Sequence, residues 1–395
     1  MIAQIAQFPH GRTFAVTFVD DTDFSTRANT EPVYDFLERH GVLGTKTVWP
    51  LRATRSSSFQ VERERAVAGL QDGATLEEPE YRDFALSLAD RGYEIALHCV
   101  ASGNSPREEI LKGLERFRAV FGRDPLLNAF HKTNIENLYC GRDKLDSWLL
   151  RVLERLVDGS VYQGHIEGSP YFWGDIVRAT FRYVRLPFHT LGAVNTLKHN
   201  PSMPFHDERR PYVRRWFAAS DGADVARFNR LLSERNVNRL EQENGACVVY
   251  THLAKGFVRK TSAGLQLDSG FVGTVERLAQ LRTVWMPTTS VLLDWLDALR
   301  HIEARHDGLN LVVRNGSERA VDGITVSLRG NLGPVGGEAI VLPSLSPGQS
   351  TSVLVGPTVT IQQPKRPAAT ITRRERRGIE YANYASLARA WLASR

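Results

Sequence analysis

The chain has few cysteines and no long apolar run, and both shortages exclude classes of protein. Its 395 residues include only three cysteines, Cys99, Cys140 and Cys247, which lie far apart and form no CxxC pair. An odd number of scattered cysteines predicts a reducing compartment without a disulfide framework. No apolar run approaches the roughly 20 residues that a membrane span needs. The N-terminus lacks a basic start followed by an apolar core, so we expect no secretory signal and a cytoplasmic protein.

Most of the sequence also lacks an excess of charge of either sign. The formal net charge is +6, and residues 364–395 hold eight basic and two acidic side chains. This tail therefore carries the whole excess, and the remaining residues balance to zero. Since the excess is confined to a tail, the overall positive charge is no argument that the body binds nucleic acid, and we predict no nucleic-acid partner. For the tail we favour a solvated linker before a docked helix over a segment that binds phosphate or a membrane surface.

Strand-like and helix-like segments alternate from the N-terminus to about residue 300. Short β-branched or apolar runs indicate buried strands, and apolar residues every three or four positions indicate helices. The predicted strands are Phe14–Val19, Thr45–Trp49, Tyr93–Leu97, Leu126–Phe130, Val184–Leu186, Cys247–Thr251 and Thr283–Met286. This alternation predicts a parallel sheet with helical crossovers, here a distorted (β/α) barrel of seven or eight strands over residues 1–306.

The pattern changes after about Asp307. Between residues 307 and 362, short strand-like segments are separated by Asn-Gly, Asp-Gly and Pro-Gly turns, which predict a small antiparallel β-sandwich. This module has no histidine, so we expect it to contribute no catalytic group. Residues 363–395 begin as a basic linker and end in apolar residues at helical spacing, which predicts a C-terminal amphipathic helix. Its apolar stripe consists of Tyr384, Leu387, Ala388, Trp391 and Leu392.

The segment FAVTFVDDTDF, residues 14–24, is the first candidate for chemistry. An apolar run ends abruptly in three carboxylates, Asp20, Asp21 and Asp23. Packing gives no reason to crowd like charges at a strand end, whereas a metal ion or a proton-transfer role does. In α/β barrels the catalytic groups also lie past the carboxyl ends of the strands. A polar turn with Asp23 as a helix N-cap is the alternative interpretation.

Three histidines occupy the same relative position after other predicted strands. His98 follows Tyr93–Leu97, His131 follows Leu126–Phe130, and His252 follows Cys247–Thr251. Each could be an ordinary structural residue, but strand ends of a parallel barrel converge on one face. Neutral imidazole is also a good ligand for divalent metals. The joint pattern of one aspartate cluster and three histidines therefore predicts a single site.

These motifs resemble a known family. The segments VTFVDDTD, GYEIALH followed by a Pro-started helix, and a strand ending in VVYTH resemble the polysaccharide deacetylases. This is the NodB-homology family, or family 4 of the carbohydrate esterases, and the resemblance covers roughly residues 12–300. It implies a deacetylase-like barrel in which Asp20 is the catalytic base, Asp21 and His98 bind a metal, and His252 is the general acid.

The sequence departs from the family pattern at three places. Val19 is inserted before the aspartates, and Ser102 stands where the family has the second histidine of its His-x-x-x-His pair. The third motif, which normally supplies a substrate-positioning arginine, is replaced by FHKTNIEN. We predict that His131 replaces the lost ligand, with Asp23 as the other substitute. The residues predicted to contact the substrate are Asp23, Asn134 and Trp173.

Together these residues predict metal-dependent removal of an N-acetyl group from a sugar or glycan. Zinc is the expected ion for histidine and aspartate ligands. Ser102 and the altered third motif favour an alternative, a metal-free barrel that binds glycans or acts in assembly. A third possibility is cleavage of a glycosidic bond by two carboxylates about 5–10 Å apart. The sequence identifies neither the particular sugar nor the oligomeric state.

Overall fold

The computed structural model describes residues 1–55, 73–131, 134–157, 161–187, 193–262, 264–329, 339–364 and 367–381. The apolar stripe predicted between Tyr384 and Leu392 lies outside the described residues. In the part of the chain that is described, no helix is both long enough and apolar enough to cross a membrane.

A curled parallel sheet forms the centre of the described structure. Its strands run in the order β7-β6-β5-β4-β3-β2-β9-β8, with the short β12 beside β2. All of its pairings are parallel. The strands are β2 (Phe14–Asp20), β3 (Thr45–Val48), β4 (Glu94–Leu97), β5 (Leu127–Asn128), β6 (Tyr183–Arg185), β7 (Trp216–Phe217), β8 (Ser220–Asp221), β9 (Ala246–Thr251) and β12 (Val284–Trp285). This sheet and its helices confirm the predicted (β/α) barrel in a distorted form.

Helices connect most of these strands, and local signals in the sequence set their ends. The side chain of Thr26 accepts a hydrogen bond from Asn29, which caps the start of α1, and Gly122 ends α3 in the left-handed conformation with φ 68°. The helices are α1 (Arg27–Arg39), α2 (Pro79–Asp90), α3 (Arg107–Phe121), α4 (Trp148–Val157), α5 (Gly174–Thr180), α6 (Thr196–His199), α7 (Val225–Leu231), α8 (Glu234–Gln242), α9 (Ser269–Gln280) and α10 (Thr289–Ala298).

The alternation of side chains along β2 divides the interior into two hydrophobic cores. Phe14, Val16 and Phe18 belong to a core shared with α1, α2 and α3. Ala15 and Val19 belong to a second core, which continues through α10 into the β-rich C-terminal part. Because successive residues of a strand point to opposite faces, a strand buried on both faces has no polar alternation to show. This explains why β2 reads as an unbroken apolar run.

The β-rich part consists of two small sheets and includes the N-terminus of the chain. One sheet has the order β16-β15-β1-β18 and the other β13-β14-β17. Strand β1 (Ile2–Ile5) pairs antiparallel with β15 (Thr325–Arg329) and parallel with β18 (Thr360–Gln362). The other strands are β13 (Ile302–Asp307), β14 (Asn310–Asn315), β16 (Ala339–Val341) and β17 (Ser350–Leu354). The predicted domain boundary at residue 307 remains a proposal. The β-rich part also includes β1, from the start of the chain, as a strand of one of its sheets.

Residues 373–381 are helical and are fixed to the barrel by buried charges. The guanidinium of Arg376 pairs with Asp207, and the carboxylate of Glu380 accepts hydrogen bonds from the backbone N–H groups of Asp146 and Ser147. Arg376 and Glu380 are almost fully buried. The C-terminal segment is therefore held beside the N-terminus of α4.

Candidate functional site

The carboxyl ends of five parallel strands meet at one edge of the sheet and bring the predicted residues together. Asp21 follows β2, His98 follows β4, His131 lies three residues beyond β5, and His252 follows β9. Arg185 is the last residue of β6. The register aligns these ends, because Asp20 of β2 lies opposite Thr251 of β9.

Asp23 lies at the centre of the group, with an imidazole nitrogen of three histidines around it. Its Oδ1 is 3.4 Å from Nε2 of His98 and 3.5 Å from Nε2 of His131. Its Oδ2 is 2.7 Å from Nε2 of His252. The loop that places Asp23 here turns at Phe24, which has a φ of 62°, a value that non-glycine residues rarely adopt. Cys99, next to His98, has a φ of 55°, so backbone strain flanks two of the site residues.

Hydrogen bonds at the Nδ1 atoms of His98 and His131 fix the tautomer of each ring, so that an unprotonated Nε2 faces Asp23. Nδ1 of His98 bonds the carbonyl oxygen of Ala129, and Nδ1 of His131 lies 2.8 Å from Oδ1 of Asn134. Since both partners are acceptors, each Nδ1 carries the proton and each neutral ring presents an unprotonated Nε2. This arrangement is typical of metal-binding histidines, whose second nitrogen donates to a neighbouring oxygen.

The amide of Asn134 is oriented by its own partners. Its Nδ2 lies within 3.0 Å of the carbonyl oxygens of Ala101 and Gly103 and of Oε1 of Glu136. Three acceptors around the nitrogen leave the oxygen as the atom that faces His131. Burial raises the pKa of Glu136 to about 8, more than its hydrogen bonds with Asn134 and Ser105 lower it. Asn134 thus orients His131, and its predicted contact with the substrate stays a prediction.

Asp23, His98 and His131 fit a metal ion. Their ligand atoms lie within 4.8 Å of one another. Oδ1 of Asp23 and Nε2 of His98 are buried and have no hydrogen-bond partner within the described residues, although an unpaired buried polar atom costs about 1–3 kcal/mol. Two ligands about 2.1 Å from a tetrahedral ion stand about 3.4 Å apart, as Asp23 and the two histidines do. An ion bound by all three would satisfy both atoms.

The charges around the group keep the carboxylate ionised. Burial acts to raise the pKa of Asp23, but the nearby His131 and His252 outweigh it and hold that pKa well below its usual range. Burial lowers the pKa of His131 more than Asp23 raises it, which favours the neutral, metal-binding ring. For His98 the opposite holds: Asp21 and Asp23 overcome burial and raise its pKa. A proton and a cation therefore compete for Nε2 of His98.

Asp21 borders this group but its carboxylate is held by an arginine. Both of its oxygens accept hydrogen bonds from Arg185, each at 2.7 Å, and its Oδ2 is 3.7 Å from Nε2 of His98. The guanidinium of Arg185 also lies 4.7 Å from the ring centre of Tyr250. Burial acts to raise the pKa of Asp21, but the charges of Arg185 and His98 outweigh burial and hold that pKa below its usual value. Asp21, predicted as a ligand, is thus an ionised carboxylate beside the ligand atoms.

Asp20, predicted as the base, is engaged elsewhere. Its Oδ2 accepts hydrogen bonds from Nζ of Lys46 at 2.8 Å and from the hydroxyl of Tyr34 at 2.9 Å. Its Oδ1 accepts one from the backbone N–H of Leu253 at 2.7 Å. The side chains of Asp20 and Lys46 are fully buried. Asp20 therefore joins β2, β3 and the loop after β9.

Trp173 lies away from any surface where a sugar could stack. It is fully buried against Phe130 and Phe181, and its Nε1 donates a hydrogen bond to the carbonyl oxygen of Glu136. Its role is to pack the loop that carries Glu136. A tryptophan in an irregular segment can stack on a sugar or pack a loop, and the residue type alone does not distinguish these two roles.

Two basic residues of the site lie outside the predicted catalytic, metal-binding and substrate-contacting set. Arg185 falls inside a short predicted strand, where a charged residue in a buried run is itself a signal of a buried partner. Lys255 lies at the open side of the site, with Nζ 4.0 Å from Oδ2 of Asp23 and 4.9 Å from the ring centre of Phe24. Its position three residues after His252 makes Lys255 a plausible pocket residue from the sequence, but gives it no role.

Replacing Asn134 with alanine is expected to weaken metal binding by roughly 10–100-fold, since His131 would lose the oxygen that orients it. Competition with a chelator measures this affinity. Asn200 is a matched control, a buried asparagine bonded to Glu375 away from the site. If Asn200→Ala lowers the metal affinity as much as Asn134→Ala, the orienting role of Asn134 is refuted.

The chain is similar in fold to several solved structures. No family model matches the sequence, and no curated protein matches it. Similar solved structures include an allantoinase, 11% identical over 74% of this chain and 92% of its own, with a TM-score of 0.41. A family 4 acetyl xylan esterase from Clostridium thermocellum in complex with a cobalt ion is 10% identical over 72% of this chain and 92% of its own, with a TM-score of 0.34.

A polysaccharide deacetylase from Bacillus cereus is also similar, 10% identical over 70% of this chain and 91% of its own, with a TM-score of 0.33. The structural neighbours thus include polysaccharide deacetylases, the family that the sequence motifs resemble. Because all three TM-scores are below 0.5, the chemistry of this chain has to be argued from its own residues.

Proposed function

We propose that this chain is a metal-dependent hydrolase that removes an acyl group from a sugar or glycan. The observation that carries the proposal is the cluster of Asp23, His98 and His131, in which two buried polar atoms lack a partner. The ligand set therefore changes from the predicted Asp21, His98 and His131 to Asp23, His98 and His131. When bound there, a divalent ion, most simply zinc, supplies a Lewis acid for an acyl carbonyl and lowers the pKa of a water molecule.

Asp21 is the best placed general base. Its carboxylate lies beside the ligand atoms, and Arg185 keeps it ionised and holds it in one orientation. Asp20 lacks the first property, because its oxygens bond Lys46, Tyr34 and the Leu253 backbone, and no ion pair within the described residues joins them to the three histidines. The base that we propose is therefore the second aspartate of the motif. Its task is to accept a proton from the attacking water.

His252 is the best placed general acid. Its Nδ1 lies 2.8 Å from the carbonyl oxygen of Ala223, and its Nε2 lies 2.7 Å from Oδ2 of Asp23. Both partners only accept hydrogen bonds, so with Asp23 ionised both nitrogens of the ring must carry protons. His252 is then an imidazolium at the edge of the site, ready to protonate a leaving amine or alcohol.

The proposed substrate class follows from the sequence motifs. The segments VTFVDDTD, GYEIALH and VVYTH resemble those of polysaccharide deacetylases. The site opens to solvent at Asp23, His131 and Lys255, whose side chains are partly exposed. A glycan would therefore approach from the side of Lys255, past the loop that carries Asp23.

One feature favours a second candidate, a metal-free barrel that binds glycans without hydrolysing them. The ion pair between Asp23 and His252, with Lys255 at 4.0 Å, balances the charge of Asp23 without a cation. In that case Oδ1 of Asp23 and Nε2 of His98 would have to share a proton. The two functions differ in metal content, which can be measured directly.

Elemental analysis of protein purified without chelators tests the proposal, together with assays on acetylated sugars. We expect stoichiometric zinc or another first-row ion, and release of acetate that stops after chelation and returns when the metal is added back. If the protein binds glycans but no added metal, the hydrolase proposal is refuted and the metal-free glycan-binding barrel is supported. Protein that holds its metal but releases no acyl group from any sugar would contradict the substrate class.

A further inference from the structure

Helix α4 exposes a continuous apolar face. The exposed fractions are 76% for Trp148, 51% for Leu149, 47% for Val152 and 44% for Leu153. We call these four residues the α4 face. Their spacing places them on one side of the helix, whereas Leu150 on the other side is buried against the protein. Large contiguous apolar surfaces are rare on proteins that contact only water.

The charges around the α4 face are unevenly exposed. The exposed charged side chains are four arginines, Arg142, Arg151, Arg155 and Arg209, and one carboxylate, Glu208, so they are basic on balance. Among the acidic side chains, Asp146 is almost fully buried with Arg209 and Arg210, and Glu154 is nearly buried against Lys144. Asp143 is shared by Arg142, Arg151 and His165. The surface that reaches solvent is thus apolar and positively charged.

The neighbouring C-terminal helical residues extend this surface. The hydrogen bonds of Glu380 with Asp146 and Ser147 place residues 373–381 at the N-terminus of α4. Arg373, Arg374 and Arg377 are exposed there, and Tyr381 is an exposed aromatic residue one position beyond Glu380. Apolar residues and arginines from two segments therefore lie side by side.

We propose that the α4 face docks on an anionic lipid surface. An amphipathic helix with tryptophan and leucine on one side and arginines beside them lies in the headgroup region, without spanning the bilayer. Charge decides between this occupant and a second copy of the chain. A symmetric contact through the α4 face would bring the arginines of both copies together, whereas anionic headgroups neutralise them. The inference does not depend on the proposed hydrolase activity.

Sedimentation with vesicles tests the proposal on the full chain. We expect binding to phosphatidylcholine vesicles that contain phosphatidylglycerol, and little binding to phosphatidylcholine alone. The double change Leu149→Glu and Leu153→Glu is expected to abolish it. Removing charge with Arg151→Gln and Arg155→Gln should weaken binding by roughly fivefold for each arginine. Leu354→Glu, at a 70% exposed leucine of β17, is the matched control and should bind as the unmodified chain does.

Fluorescence gives a second readout. Anionic vesicles should shift the tryptophan emission to shorter wavelength, and Trp148→Phe should remove most of that shift while binding continues. Vesicle binding that survives the double glutamate change would overturn the proposal, because other basic residues would then be responsible. So would a stable dimer in light scattering that the same change converts to monomers without any vesicle binding in the unmodified chain.

Discussion

His131→Ala is expected to release the metal and to abolish hydrolysis. The substitution leaves Asp23 and His98 as the only protein ligands of the three, and the loss of affinity should exceed the roughly 10–100-fold effect of changing a residue behind a ligand. Elemental analysis after desalting and titration calorimetry measure the metal. Acetate release measures the activity.

Controls for this result are available in the same chain. His301 is an exposed histidine at the end of a short 3-10 turn, and His301→Ala should keep both the metal and the activity.

Asp21→Asn separates the two ligand sets: a folded variant that keeps its metal but loses activity supports Asp21 as the base. Since removing one partner of a buried ion pair can cost about 3–5 kcal/mol, circular dichroism must first show that Asp21→Asn is folded. An His131→Ala protein with full metal content would refute the site.

The fold was predictable from the sequence because its main signals are local. Apolar β-branched runs mark β2, β3, β4 and β9, and caps and apolar spacing mark the helices between them. The position of β1 was not predictable in this way. Ile2–Ile5 pairs with strands more than 300 residues away, and no local pattern records such a partner.

The site was predictable as a group of residues but not in its roles. The ends of parallel strands must meet, so an aspartate cluster and three histidines after four strands indicate one site. Which aspartate does what depends on distant side chains. Lys46 of β3 forms an ion pair with Asp20, and Arg185 of β6 forms one with Asp21. Asp23 is the aspartate that clusters with His98 and His131. Neither Lys46 nor Arg185 has a recognisable motif, so the sequence alone could not show how the three aspartates differ in their partners.

His252→Ala is expected to leave the metal content unchanged and to lower turnover by roughly 10²–10⁴-fold, the usual contribution of a positioned acid or base. The reason is geometric. His252 contacts Oδ2 of Asp23, whereas the ligand atom that faces His98 and His131 is Oδ1, so its removal leaves the ligand cluster intact.

The substrate itself provides the control for this experiment. If His252 donates a proton to the leaving group, acyl esters of good leaving groups should lose much less turnover in His252→Ala than acetylated amino sugars do, because they need less protonation. A variant that loses its metal would make His252 a ligand or an essential support of Asp23. Equal losses on both kinds of substrate would refute the acid role and leave His252 with the task of holding Asp23 in place.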